Sequence, residues 1–139
     1  MVQRVIELEA RYMREVMRQE RYALAKSEIT EPQFWTLDIL HEKGPCPVGL
    51  VCDALNSKPS SVTSMVDRLV ELDLVHRERS EKDRRVVLLS LTSKGKTLLH
   101  ETRKQQAKTI KEVFAHLTEK EREQYLALIE KMAEYLPDF

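Results

Sequence analysis

Glycine is scarce: only Gly44, Gly49 and Gly95 occur in 139 residues. Neither a phosphate-cradling glycine loop nor a dinucleotide-binding fingerprint can be assembled from so few. Cysteine is scarcer still. Cys46 and Cys52 are too few for a disulfide framework and are not spaced as a zinc knuckle, so both are read as reduced thiols. Cys52 is expected to be buried and inert; Cys46, between Pro45 and Pro47, is expected in a more exposed loop where a redox role could arise. No apolar run approaches the roughly 20 residues of a spanning helix. The opening stretch MVQRVIELEARYMREV mixes charges where a signal peptide would be apolar, so a cytoplasmic protein with no membrane partner is expected. Nor is there charge of one sign to spare: 23 Lys and Arg balance 23 Asp and Glu. That argues against coating nucleic acid by bulk charge, and an anionic partner would have to be engaged by local placement. No histidine sits in a nucleophile or zinc-protease motif, and His100 is followed one turn later by Lys104 rather than a second histidine. The expectation is a non-enzyme without metal or cofactor.

What is present is the composition of a single globular domain, 42% hydrophobic and 33% charged. Residues 1 to about 27 place Val2, Val5, Ile6, Tyr12, Met13, Val16, Met17, Ala23 and Leu24 at mixed three- and four-residue spacing, which predicts one long helix. In TEPQFWTLDILHEKG, Thr30 is an N-cap, Gln33 completes a capping box, Pro32 fits the first turn and Gly44 is a stop, giving a second helix over 31–42. VGLVCDALN predicts a short helix ending at Asn56. SKPSSVTSMVDRLVELDLV restarts at once, with Ser57 as expected N-cap and Val62, Met65, Val66, Leu69 and Val70 at helical spacing. Two helices joined by so short a turn are a helix-turn-helix candidate.

Leu74 and Val75 begin an extended segment, the charged residues 77–84 are expected to form its turn, and RVVLLSL returns as a strand. Thr92 is a plausible cap for a helix through about His116. Thr118 and Glu121 form a capping box for a last helix expected to bury Tyr125, Leu126, Ile129, Met132 and Leu136.

The exposed face of helix 57–72 carries Ser60, Ser61, Thr63, Ser64, Asp67 and Arg68. Short hydroxyl side chains at a helix start let the backbone approach phosphates and base edges, and the helix dipole there favours an anion. The same residues also suit a solvated, well-capped helix start, so this stretch alone leaves both readings open. The hairpin adds weight to DNA recognition. From His76 to Arg85 it carries five Lys and Arg against three Asp and Glu, and an arginine at a hairpin tip is suited to a minor groove beside a helix in the major groove. Asp83, two residues before Arg85, could hold that guanidinium in a fixed fork. Mixed charges in a loop are otherwise commonly solvated and self-neutralising.

Taken together, TEPQFWTL, SSVTSMVDRLVELDLV, DRR and LTSKG, in this order and spacing, resemble the multiple antibiotic resistance regulator (MarR) family of bacterial transcription regulators, and the resemblance runs almost end to end. It implies a mainly α fold with a small β-hairpin wing, a winged helix-turn-helix over 31–92. Residues 1–30 and 93–139 would make one intertwined helical dimerisation region. It implies a homodimer on an inverted-repeat operator, repression, and release by a small aromatic or anionic effector.

Position by position, the resemblance places Lys58, Ser60, Ser61, Thr63, Ser64 and Arg68 on the recognition helix. Arg79, Lys82, Asp83, Arg84 and Arg85 fall on the wing, with Arg85 in the minor groove, Asp83 steadying it and Arg84 on phosphate. Asp73 stands where the family has a glycine in a left-handed turn. Tyr12, Phe34, Trp35 and His41 are the candidates to line an effector crevice, although aromatics at helical spacing are more often core. A homodimer also follows from the residues themselves, since the terminal helices carry more apolar surface than a small winged domain can cover. The competing reading is a winged helix used to dock a protein partner without sequence-specific DNA binding.

Overall fold

The computed structural model describes residues 1–136, the side chain of Ala23 excepted, so that expected inward position lies outside the described residues. Helix α1 (Val2–Leu24) is followed by α2 (Glu31–Lys43), strand β1 (Cys46–Pro47), α3 (Val48–Leu55), α4 (Pro59–Glu71), β2 (Val75–Arg79), β3 (Val87–Leu91), α5 (Ser93–Phe114) and α6 (Glu119–Ala133). This is a mostly helical winged-helix fold with one small antiparallel sheet.

Local chemistry sets most of the boundaries. Gln33 Oε1 accepts from the Thr30 N–H at 2.9 Å and starts α2, which stops at Gly44 with φ +71°. Asn56 closes α3 in the left-handed region, φ +47°, a conformation its short polar side chain tolerates better than most. Asp73 does the same after α4, with φ +57°. Its strained turn is tied down from the start of α5: Thr92 Oγ1 donates to the Asp73 carbonyl at 2.6 Å and Lys94 Nζ to the Leu72 carbonyl at 2.9 Å. Thr92 also caps α5, accepting from the Gly95 N–H at 3.0 Å, and Thr118 and Glu121 form the expected box at the start of α6.

The core lies beneath the recognition unit. Phe34, Leu37 and Leu40 of α2 meet Val51 of α3, Val62, Val66 and Leu69 of α4, Leu89 of β3 and Leu99 of α5, all fully buried. Each such side chain contributes roughly 1.5–3 kcal/mol by leaving water. The helix-turn-helix is therefore clamped from behind by α2 and the sheet, and only its outer stripe is left to solvent.

Five expectations are corrected. The N-cap of α4 is Lys58, not Ser57, whose hydroxyl donates back to the Leu55 carbonyl at 3.1 Å. Val70 lies on the outer face, because the buried stripe runs through Val62, Val66 and Leu69. The hairpin turn is shorter than residues 77–84: β2 runs on to Arg79, which pairs with Val87. Cys46 is buried, because Cys46 and Pro47 add a third strand on the free edge of β3, opposite Leu89 and Leu88. Finally, α6 buries none of its residues within the chain: Leu126, Ile129, Met132 and, just beyond it, Leu136 are exposed.

Candidate nucleic-acid interface

Burial of Val62, Val66 and Leu69 turns the opposite side of α4 outward, so Ser60, Ser61, Thr63, Ser64, Asp67 and Arg68 are all exposed, as is Lys58 at the cap. Thr63 Oγ1 donates to the Pro59 carbonyl at 2.8 Å and Ser64 Oγ to the Ser60 carbonyl at 3.2 Å. Both protons are thus committed to the helix, while the oxygens keep lone pairs free to accept, and a rotamer change would free the protons as donors. Arg68 pairs with Glu71 at 3.1 Å, one turn along the same surface.

The wing is fixed to this surface by a contact that sequence spacing did not suggest. Arg77 Nη2 of β2 donates to Asp67 Oδ1 of α4 at 2.6 Å. Asp67 belongs to the exposed stripe, so the bond lays β2 alongside the face that presents the hydroxyls. Neither residue is unusual in a surface segment, and nothing short of the folded packing brings them together.

Beyond β2 the tip is organised by its own polar groups. The Ser80 N–H donates to the Val86 carbonyl at 2.9 Å, the Val86 N–H to the Asp83 carbonyl at 2.9 Å, and Arg79 Nη1 to the Arg84 carbonyl at 2.9 Å. Within that frame Asp83 and Arg85 form the expected fork. Arg85 Nε lies 3.1 Å from Asp83 Oδ1 and Nη2 lies 3.2 Å from Oδ2, and the Arg85 backbone N–H adds a third bond at 3.1 Å. The Arg85 guanidinium, and then its N–H, hold the Asp83 carboxyl below the usual aspartate value. The Arg85 side chain is nonetheless 91% exposed, with one edge of its guanidinium held by the fork. Lys82 and Arg84 are exposed beside it. A cation presented this way has lost part of its conformational freedom before meeting a partner.

The four candidate effector residues do not line one cleft: Phe34 and Trp35 pack together, and Tyr12 and His41 lie apart from them. Phe34 is taken into the hydrophobic core at 1% exposure. Trp35 stands edge-on to it, ring centroids 5.4 Å apart, and faces a cleft with Pro32, Leu55, Ser61 and Met65. Tyr12 lies in a separate groove on α1 with Leu8, Arg11 and Arg14, and His41 is exposed near the end of α2. Burial pushes the Cys46 thiol up, away from the reactive thiolate. Among the described residues no group of three or more His, Cys, Asp or Glu is placed to hold a metal ion, and no helix is long and apolar enough to cross a membrane.

Comparison with known proteins bears on the same surface. A family profile described as MarR family matches residues 29–87, the stretch from the residue before the cap of α2 to the first residue of β3. The HTH-type transcriptional repressor MdtR of Bacillus subtilis is 32% identical over 112 residues, 81% of this chain and 72% of that protein. The solved structure of a MarR family protein from Bacillus stearothermophilus superposes with a TM-score of 0.89 at 26% identity, over 96% of this chain and 93% of the other. BpsR of Bordetella bronchiseptica, whose DNA binding is regulated by 6-hydroxynicotinic acid, superposes with a TM-score of 0.71 at 26% identity, over 95% and 94% of the two chains. With a hydroxyl-lined helix, a wing clamped beside it and relatives of this kind over most of its length, the chain belongs to the MarR family of DNA-binding transcriptional regulators.

Proposed function

We propose that the chain is a homodimeric repressor that binds an inverted-repeat operator, with α4 in the major groove and the wing tip in the adjacent minor groove. The observation that carries this reading is the Asp83–Arg85 fork, which holds an otherwise exposed guanidinium in one orientation at the end of a hairpin tied to α4. A narrow minor groove attracts such a cation electrostatically, so the wing adds affinity without a base code. Ser60, Ser61, Thr63 and Ser64 meet base edges, while Lys58, Arg68, Arg79, Lys82 and Arg84 meet phosphates. The recognition unit is 31–92, and 1–30 with 93–139 form the dimer region, where the apolar faces of α1 and α6 find in a second copy the cover they lack within the chain.

Repression follows the relative MdtR, described as a repressor, and BpsR is the precedent for a small-molecule effector. The effector here is a small aromatic or anionic molecule, with the cleft beside Trp35 its best-supported contact among the four candidates. A neutral protein that grips DNA by placement should still show counterion release. Fluorescence-anisotropy titration of a duplex selected from random-sequence DNA should give affinity that falls steeply with added salt. Arg85→Ala should weaken it roughly ten- to a hundredfold with the dimer intact. Binding that ignores both salt and Arg85→Ala would favour a protein-docking role for the same face.

A further inference from the structure

Glu20 of α1 is only 9% exposed, and it is the one acidic residue among the buried positions of the described chain. It sits at the seam where α1 and α5 meet α2, the helix that backs the recognition unit. Its Oε1 accepts from the Gln106 side-chain amide of α5 at 2.9 Å. The arginines at this seam are taken by other carboxylates: Arg103 of α5 binds Asp38 of α2, and Arg21 of α1 lies 3.8 Å from Glu31 of α2. Glu20 therefore has a neutral amide as its hydrogen-bond partner, and the two α2 carboxylates that act on it, Glu31 and Asp38, are themselves paired with Arg21 and Arg103. An amide can donate to a carboxylate and can equally accept from a carboxylic acid, so Gln106 serves either state. The surroundings do not: burial first, then Glu31 and Asp38, raise the Glu20 carboxyl above its ordinary value.

We propose that Glu20 is a positioning residue for DNA binding, whose proton decides how firmly α2, and with it the recognition helix and wing, is held against α1 and α5. With the proton bound, the seam contains one fewer negative charge and closes. With the proton lost, the seam holds three carboxylates against the two arginines, and the buried, uncompensated charge loosens α2 from the helical arm. The sign follows from the direction of the shift. The closed seam binds the proton more tightly than the open one, so its contribution is complete below the ordinary glutamate value of 4.5 and is lost as pH rises through the raised value. A firm seam fixes the separation of two recognition units in advance and spares an operator the cost of ordering them. This consequence for DNA rests on the dimeric operator-binding reading above.

The test compares the full-length wild type with Glu20→Gln and Asp38→Asn. Glu20→Gln keeps the shape and the hydrogen bond but cannot ionise. In thermal unfolding across a pH series that starts at the ordinary glutamate value of 4.5 and rises from there, it should melt above the wild type at the upper end and converge with it toward acid. Asp38→Asn removes one facing charge and frees Arg103, so it should move the wild-type transition to lower pH. Anisotropy titrations on a duplex selected from random-sequence DNA should show the wild type losing affinity severalfold relative to Glu20→Gln across the same interval. Parallel unfolding profiles for the two proteins would overturn the proposal. Divergent unfolding with parallel DNA profiles would overturn the positioning role. Divergent unfolding with no duplex bound by any variant would instead sink the operator-binding reading and leave the proton-linked seam standing.

Discussion

Asp83 shows how one carboxylate can serve a surface whose task is to attract anions. It removes a unit of positive charge from the tip, yet it spends that charge on fixing Arg85 through two side-chain bonds and one backbone bond. Because its pKa is depressed, the ionised form that makes the fork is fully present above the ordinary aspartate value of 3.8 and is lost only as pH falls through the lower folded value. Carbon-detected NMR titration should place the Asp83 midpoint below 3.8, and Arg85→Ala should return it toward that value. This pair was legible in the chain because its partners are two residues apart. Arg77 and Asp67 are ten apart on different elements, and Glu20 and Gln106 are 86 apart, so neither contact could be read from spacing. Cys46 was misplaced for a related reason: residue type suggests what a side chain is able to do, whereas burial is decided by what packs over it.

Among the elements, those with chemical punctuation were read well. Capping boxes at Thr30 and Thr118, the stop at Gly44 and the turn at Asn56 each act through the nearest few residues, and each appears in the structure. Strand β1 has no such signal. Two residues, one of them a proline, carry no period, and Cys46 and Pro47 are strand only because the edge of β3 offers them Leu89 and Leu88. Gly95 belongs to this scale as well. A Cβ built there would stand 2.2 Å from the Leu74 carbonyl, so a glycine is what lets α5 start directly against the entry to β2. Gly95→Ala should force that helix away and destabilise the fold by about 1 to 3 kcal/mol, measured by urea unfolding. An unchanged midpoint would mean that the α5 junction yields without cost.

For the whole molecule, the salient fact is apolar surface left uncovered. Val5, Ile6, Leu8 and Met13 of α1 and Leu126, Leu128, Ile129 and Met132 of α6 are between 43% and 61% exposed. A soluble monomer rarely shows so much at its two ends. If a second copy covers them, a charge placed there has no way to avoid burial. Leu126→Glu with Ile129→Glu should convert the dimer to monomer in analytical ultracentrifugation and weaken binding to an inverted repeat by at least the gain that a second half-site supplies, on the order of a hundredfold. A dimer that survives both substitutions would place the interface elsewhere.

The chain alone determined what depends on neighbours a few residues away: the helices and their caps, the hairpin, the fork at its tip and, through motifs in order, the family. It also showed which residues are apolar. Tertiary structure decided which of those are core, that a third strand completes the sheet, that Arg77 clamps the wing to α4, and that Glu20 is buried against Gln106. The physical reason is one of range. Capping, turn geometry and side-chain forks act over a turn of helix, whereas desolvation and like-charge repulsion exist only once distant segments have been brought together.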